Sequence, residues 1–234
     1  MQLFKKYILN IALSKYNLSM KKFLCVFLAA CAAICFFCGC GKRVNYLNYV
    51  SEKRSNIYLY SNDGFEIKIH ISERETPYST DGIKGDMSDF CEIFVTLPKN
   101  YDEVEISVAD VNGEMNYKAV ENCYYLSLSG GNISGESVNV NLTYGGKTEE
   151  YTAVSVLYDG VISCDDAVKC AIDHDGELFK SLTQNDLFMG EISVRLLYDE
   201  GCYYYVGVCD REKKITAFLV DGERGNVIAT KQLG

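Results

Sequence analysis

From about residue 56 to residue 158, apolar side chains recur at every second position, a period that only β structure satisfies. Ile57 and Leu59 alternate, as do Phe65, Ile67, Ile69 and Ile71, then Cys91, Ile93, Val95 and Leu97, then Val104, Ile106 and Val108. Tyr124, Leu126 and Leu128 follow, then Val138, Val140, Leu142 and Tyr144, and Tyr151 through Leu157 closes the series. Turn residues separate the runs: Asn62-Asp63-Gly64, Asn112-Gly113, Gly130-Gly131-Asn132 and Gly145-Gly146. Successive strand side chains face opposite sides, so each run is apolar on one face and needs a second layer to bury it. Seven or so short strands without helical period predict an antiparallel β-sandwich, for which an immunoglobulin-like topology is the commonest solution. The break at 73–89, with Pro77, Gly82 and Gly85, predicts a surface loop.

The period changes near residue 161. Ser163 is a good N-cap, and Asp165 and Asp166 suit the positive start of a helix. Cys164, Ala167, Val168, Ala171 and Ile172 share one stripe at helical spacing, and Asp175-Gly176 stops it. Strands return with Ile192, Val194, Leu196 and Tyr198, then Cys202 to Cys209, Ile215 to Asp221 and Asn226 to Thr230. The layout so read is a leader over 1–39, a tether over 40–55, a β-sandwich over 56–158 and a small α+β domain over 159–234.

The segment Ile162-Ser-Cys-Asp-Asp-Ala-Val-Lys-Cys-Ala-Ile-Asp-His-Asp-Gly176 resembles the opening helix of PepSY-like domains. Tyr203 to Cys209 and Phe218 to Ile228 are similar to the later strands of that family. The resemblance covers roughly 161–231. It departs in the long 173–190 connection and in Cys164 and Cys170, where aliphatic residues are usual. It implies one helix on an antiparallel sheet, in an extracytoplasmic module without catalytic residues. Some such modules belong to protease propeptides and restrain peptidases.

The leader sets the expected compartment. Met20-Lys21-Lys22 precedes an uninterrupted apolar run that ends at Phe37-Cys38-Gly39-Cys40. A basic n-region, an apolar h-region and a small residue before Cys resemble a bacterial lipobox. The resemblance implies lipidation of Cys40, cleavage before it and anchoring to the outside of the bacterial cell membrane. An uncleaved anchor is the alternative, because the run approaches spanning length. Residues 1–19 add a second basic-apolar segment, which makes Met20 a candidate translation start.

The whole chain of 234 residues carries a net charge of -9. Its first 40 residues hold five Lys and no acid, leaving 18 basic against 32 acidic residues in the remainder, or -14. A body that acidic argues against nucleic acid as a partner. The six cysteines after the leader are Cys91, Cys123, Cys164, Cys170, Cys202 and Cys209. They sit in apolar patterns, where a thiol acts as a small hydrophobe.

Signs of catalysis are sparse. Only His70 and His174 could serve as an imidazole base. His70 has the parity opposite to Ile67, Ile69 and Ile71 and is expected to face solvent. His174 falls at a helix end, where a cation is favoured. No Gly-x-Ser-x-Gly, His-Glu-x-x-His or Gly-Lys-Ser/Thr loop occurs. No catalytic residue, metal ligand or cofactor is assigned; Asp81, Asp86 and Asp89 read as a solvated acidic loop.

Tyrosine is in excess, at 18. If the helix covers Tyr204, Val206 and Val208, then Tyr203, Tyr205, Arg195 and Leu197 line the other face. That face suits either a protein or peptide partner or packing between the two domains. The expected function is a non-catalytic binding or regulatory module held at the membrane through Cys40 and directed at a peptide or peptidase. A structural envelope protein is the alternative, and a small cell-surface hydrolase a third reading.

Overall fold

The computed structural model describes residues 44–76, 85–131 and 133–234. The leader, Cys40 and Asp81 lie outside them. Among the described residues the chain is mostly β, with fifteen strands, two α-helices and one 3-10 turn at Tyr46–Tyr49.

The strands are β1 (Val50–Asn62), β2 (Phe65–Thr76), β3 (Asp86–Thr96), β4 (Val104–Val108), β5 (Val111–Glu114), β6 (Asn116–Lys118), β7 (Cys123–Ser129), β8 (Ser137–Tyr144) and β9 (Lys147–Ser155). Helices α1 (Cys164–His174) and α2 (Gly176–Ser181) follow, then β10 (Thr183–Gln184), β11 (Leu187–Phe188), β12 (Glu191–Tyr198), β13 (Cys202–Cys209), β14 (Ile215–Asp221) and β15 (Val227–Leu233). Thirteen of the strands form one sheet, whose main path runs β15-β14-β13-β12-β1-β2-β3-β7-β6. The β10–β11 hairpin stands apart.

Strand β1 joins everything. Its first residues pair in parallel with β12, Glu52 to Asn62 pair antiparallel with β2 across a bulge after Arg54, and Tyr58 and Leu59 pair with β9. Beyond β9 the ladder continues through β8 and β4 to β5, which curls this half of the sheet into a near-barrel. The Asp63-Gly64 turn between β1 and β2 is the two-residue hairpin that the sequence announces. Asp63 has φ 34° and Gly64 has φ 82°, both left-handed as such a turn requires. Gly145 has a second reason to be glycine: a Cβ there would fall 2.8 Å from the Tyr101 ring.

Two apolar clusters result. In the first, Ala167, Val168 and Ala171 of α1 pack on Ile192, Val194, Leu196, Tyr204, Val206, Val208, Phe218 and Val220. Phe179 of α2 and Phe188 of β11 seal its end, with Tyr46 and Tyr49 edge-on against them. In the second, Ile67, Ile69, Ile93, Val95, Val104, Ile106, Val140 and Leu142 fill the near-barrel. Neighbouring β1 residues divide between them: Ile57 belongs to the first cluster and Tyr58 to the second.

Helix α1 starts where expected. Ser163 Oγ accepts from the Asp166 amide, and Asp165 and Asp166 occupy the first turn. Asp175 ends it and also caps α2 by accepting from the Leu178 amide, so the 173–190 connection is structured. His174 lies in the last turn of α1, edge-on to Phe218.

Three expectations need correction. Residues 50–55 are strand, not tether, because Val50 docks into the first cluster and β12 supplies a pairing partner. Residues 73–76 and 86–89 are not loop. They extend the β2–β3 hairpin through pairs as far out as Thr76 with Asp86, which places Asp86 and Asp89 in β3. His70 is not solvent-facing: its side chain is only 12% exposed, between Glu92 and the Phe94 ring. The turn near residue 159 does separate β9 from α1. The two stretches on either side of it nevertheless share β1 and one sheet within the unit Val44–Gly234.

Candidate recognition face

The face of the sheet opposite α1 carries a continuous row of cross-strand neighbours. Leu219 of β14 stands beside Tyr205, Tyr205 beside Arg195, Arg195 beside Arg54, Arg54 beside Ser72, and Ser72 beside Phe90. Parity produces this row. Val194 and Leu196, and Tyr204 and Val206, point into the helix-covered cluster, so Arg195 and Tyr205 point out. Likewise Ile69, Ile71, Cys91 and Ile93 point to the near-barrel, so His70, Ser72, Phe90 and Glu92 face away from it. The four expected residues meet here: Arg195 pairs with Tyr205 and Leu197 with Tyr203. Tyr203, Tyr205 and Leu197 are half-buried.

Arg195 has a partner inside the chain. Its Nε and Nη2 donate to the two oxygens of Glu52 at 2.6 and 2.8 Å, a bidentate pair. Arg74 Nη2 donates to Glu52 Oε2 at 3.3 Å. Burial pushes the Glu52 carboxyl up, but Arg195, then Arg74 and Arg54, outweigh it and hold it below the usual carboxylate value. Two residues along β1, Arg54 Nη2 donates to Glu92 Oε2 at 3.5 Å, and Tyr125 donates to Glu92 Oε1 at 3.0 Å. His70 Nδ1 stands 3.8 Å from Glu92 Oε2, within ion-pair reach but beyond a hydrogen bond. The imidazole, Tyr125 and Arg54 together hold the Glu92 carboxyl at about 2 against the opposing pull of burial. Burial in turn lowers the His70 value, helped by Arg54.

Rings accompany these charges. The Arg74 guanidinium lies 4.5 Å from the Phe90 ring centroid, and the Lys118 ammonium 3.6 Å from that of Tyr125. Arg195 stands 5.9 Å from the Tyr205 ring. Glu92, His70 and Ser72 have the composition of a nucleophilic triad, but Ser72 Oγ makes no hydrogen bond, so no base engages that hydroxyl.

Sequence reasoning found Arg195, Leu197, Tyr203 and Tyr205, and missed Glu52, Arg54, His70, Ser72, Arg74 and Glu92. A signal was present in His70–Ser72–Arg74, which alternates with Ile69 and Ile71, but not in the continuous polar run Glu52-Lys53-Arg54. It was hidden because 50–55 reads as tether and 73–89 as loop.

Elsewhere, a concavity of about 570 Å³ at the end of the near-barrel is lined by Tyr101, Asp102, Glu103, Glu105, Tyr144 and Lys99 among others. Its carboxylates are exposed. Among the described residues no group of three or more His, Cys, Asp or Glu is placed to hold a metal ion. All six described thiols are unpaired, and burial pushes those of Cys91 and Cys164 up to about 12, far from the reactive range. No protein family, curated protein or solved structure matches the chain.

Proposed function

We propose that this chain is an exported, lipid-anchored binding or regulatory module without catalytic activity, and that the open sheet face presents its recognition surface to a peptide or peptidase partner. The observation that carries this reading is the row Leu219–Tyr205–Arg195–Arg54–Ser72–Phe90, aromatic and guanidinium groups set together on the side that α1 leaves uncovered. Aromatic and Arg side chains are the types enriched at interface centres. The pair with Glu52 favours this use, because an Arg fixed in place loses little freedom when a partner arrives. Lipid anchoring rests on the apolar run ending at Gly39-Cys40. Within this reading, the α1-covered sheet is the PepSY-like part, supported by the Ser163 cap and by a helix lying on β12, β13 and β14. The near-barrel is the immunoglobulin-like part, supported by its alternating antiparallel strands.

The test is capture of extended peptides from a defined library by the full chain, compared with Tyr203→Ala/Tyr205→Ala. The reading predicts weaker capture with little change in melting temperature. A double mutant that captures peptides undiminished removes the face from this role. Cys40→Ser tests the anchor in parallel: it should abolish acyl labelling, and unchanged labelling would remove the lipid from the account.

A further inference from the structure

The main path of the sheet ends at β15 on one side and at β6 on the other. Strand β6 has three residues, and β5, which pairs only with β4, has four. Strand β15 has seven, held to β14 by pairs from Ile215 with Leu233 to Val220 with Val227, and every residue after Val227 is exposed. Its other side has no partner among the described residues, so alternate backbone N–H and C=O groups point outward unpaired. What completes such a row is a second extended backbone. Folded proteins blunt long edges with Pro, bulges, charges or a covering element. Strand β15 has no Pro, its register shift falls before Ala229, and its one charged residue is Lys231.

Charge indicates which backbone fits. Residues 210–234 carry five bases against four acids, whereas residues 41–209 carry 13 against 28. Two copies that meet at β15 therefore touch through a segment of net charge +1 and keep the acidic segments apart. Symmetry then fixes the register. A two-fold axis normal to the sheet pairs β15 antiparallel with itself. An axis at Lys231 would set two ammonium groups directly opposite each other, which is unfavourable. An axis at Thr230 sets Thr230 against the partner's Thr230, a favourable pair, and sets each Ala229 against the partner's Lys231. Ala229 and Lys231 pair with Leu219 and Ala217 on the open face, and Thr230 pairs with Phe218 on the α1 side.

We infer that the edge of β15 receives a second copy of this chain, paired antiparallel about Thr230, so that two sheets become one. Both copies then turn their Tyr205–Arg195 rows to the same side. The pairing is independent of what those rows bind.

The full chain in detergent is followed by sedimentation equilibrium over a range of concentrations. The expected result is a reversible dimer. Ala229→Lys sets ammonium against ammonium twice and should weaken the dimer roughly fivefold, whereas Ala229→Asp sets carboxylate against ammonium twice and should tighten it by a similar factor. Net charge alone would act in the opposite directions, since Asp adds acid to an acidic body and Lys offsets it. Ala229→Lys/Lys231→Asp should restore the affinity of the parent chain. Ala229 and Lys231 are exposed, so the diluted variants should melt as the parent does. A monomer at every concentration overturns the inference, as does a dimer that responds to neither Ala229 variant and so assembles through another surface. Protection of β15 amides by an added extended peptide, without dimerisation, gives the edge to a peptide and overturns it equally.

Discussion

The two halves of the sheet bury their apolar faces differently. From β12 to β15 a single helix covers the sheet, and Ala167, Val168 and Ala171 let it lie close. From β2 to β9 no helix takes part among the described residues, and the sheet curls until Ile67, Ile93, Ile106 and Leu142 meet across a near-barrel. The helix takes up one face of its half of the sheet, and the near-barrel takes up the inner face of the other, so the residues of alternate parity gather on the remaining side. Because β1 runs through both halves, the two sets of residues join into one row. A helix that covered both faces, or a barrel that closed without β12, would have left no continuous row from Leu219 to Phe90.

The comparison breaks most severely in the core. Phe218→Ala, at a side chain with no exposure, should cost about 3–5 kcal/mol. Since β1 is shared, the near-barrel should melt in the same transition, seen by following far-ultraviolet dichroism and a near-barrel tyrosine signal together. Glu52→Ala comes next. It strips Arg195 and Arg74 of a carboxylate that is 3% exposed and should cost about 2–3 kcal/mol. Glu52→Gln, which keeps the shape, should cost less in the same denaturant titration.

Acid acts on the junction itself, because Glu52 on β1, His70 on β2 and Glu92 on β3 all have lowered values in the folded chain. A folded value below the unfolded one means that the unfolded chain binds more protons, so stability falls as pH falls. For His70 the loss begins below its ordinary value of 6.5, and for Glu92 it runs from 4.5 down to about 2. Glu92 should account for roughly 1–2 kcal/mol, reduced by the solvent it still sees. Glu92→Gln should flatten the stability curve over that lower window. Smallest is Ser163→Ala, which removes the α1 cap for about 1 kcal/mol and should leave the near-barrel contacts unchanged in a urea titration.

The alternating runs and the Ser163 cap made most strands and the helix legible from sequence, because period and capping are local properties. Parity alone put Tyr203, Tyr205, Arg195 and Leu197 on one face. The β1–β12 pairing was not legible. Val50-Ser-Glu-Lys-Arg54 is polar and has no simple period, and bulges after Val50 and after Arg54 shift its register twice. It is paired on both sides, to β2 through the extended hairpin and to β12 about 140 residues away, and no local pattern encodes the second partner. Missing that pairing hid Glu52 and Arg54, and with them the centre of the site. His70 showed the same limit: its parity was readable, but the Glu92 and Phe94 that enclose it lie on another strand.

The central claim is that β1 makes the two halves one folded body and so keeps the row from Leu219 to Phe90 continuous. Native-state hydrogen exchange on the full chain tests it most directly. Amides paired between residues 192–195 of β12 and 50–54 of β1 should open at the same free energy as those of β2 and β8, with a common denaturant dependence. If β12 to β14 exchange through a separate opening of much lower free energy while the near-barrel stays protected, the halves are independent units, and the account is contradicted.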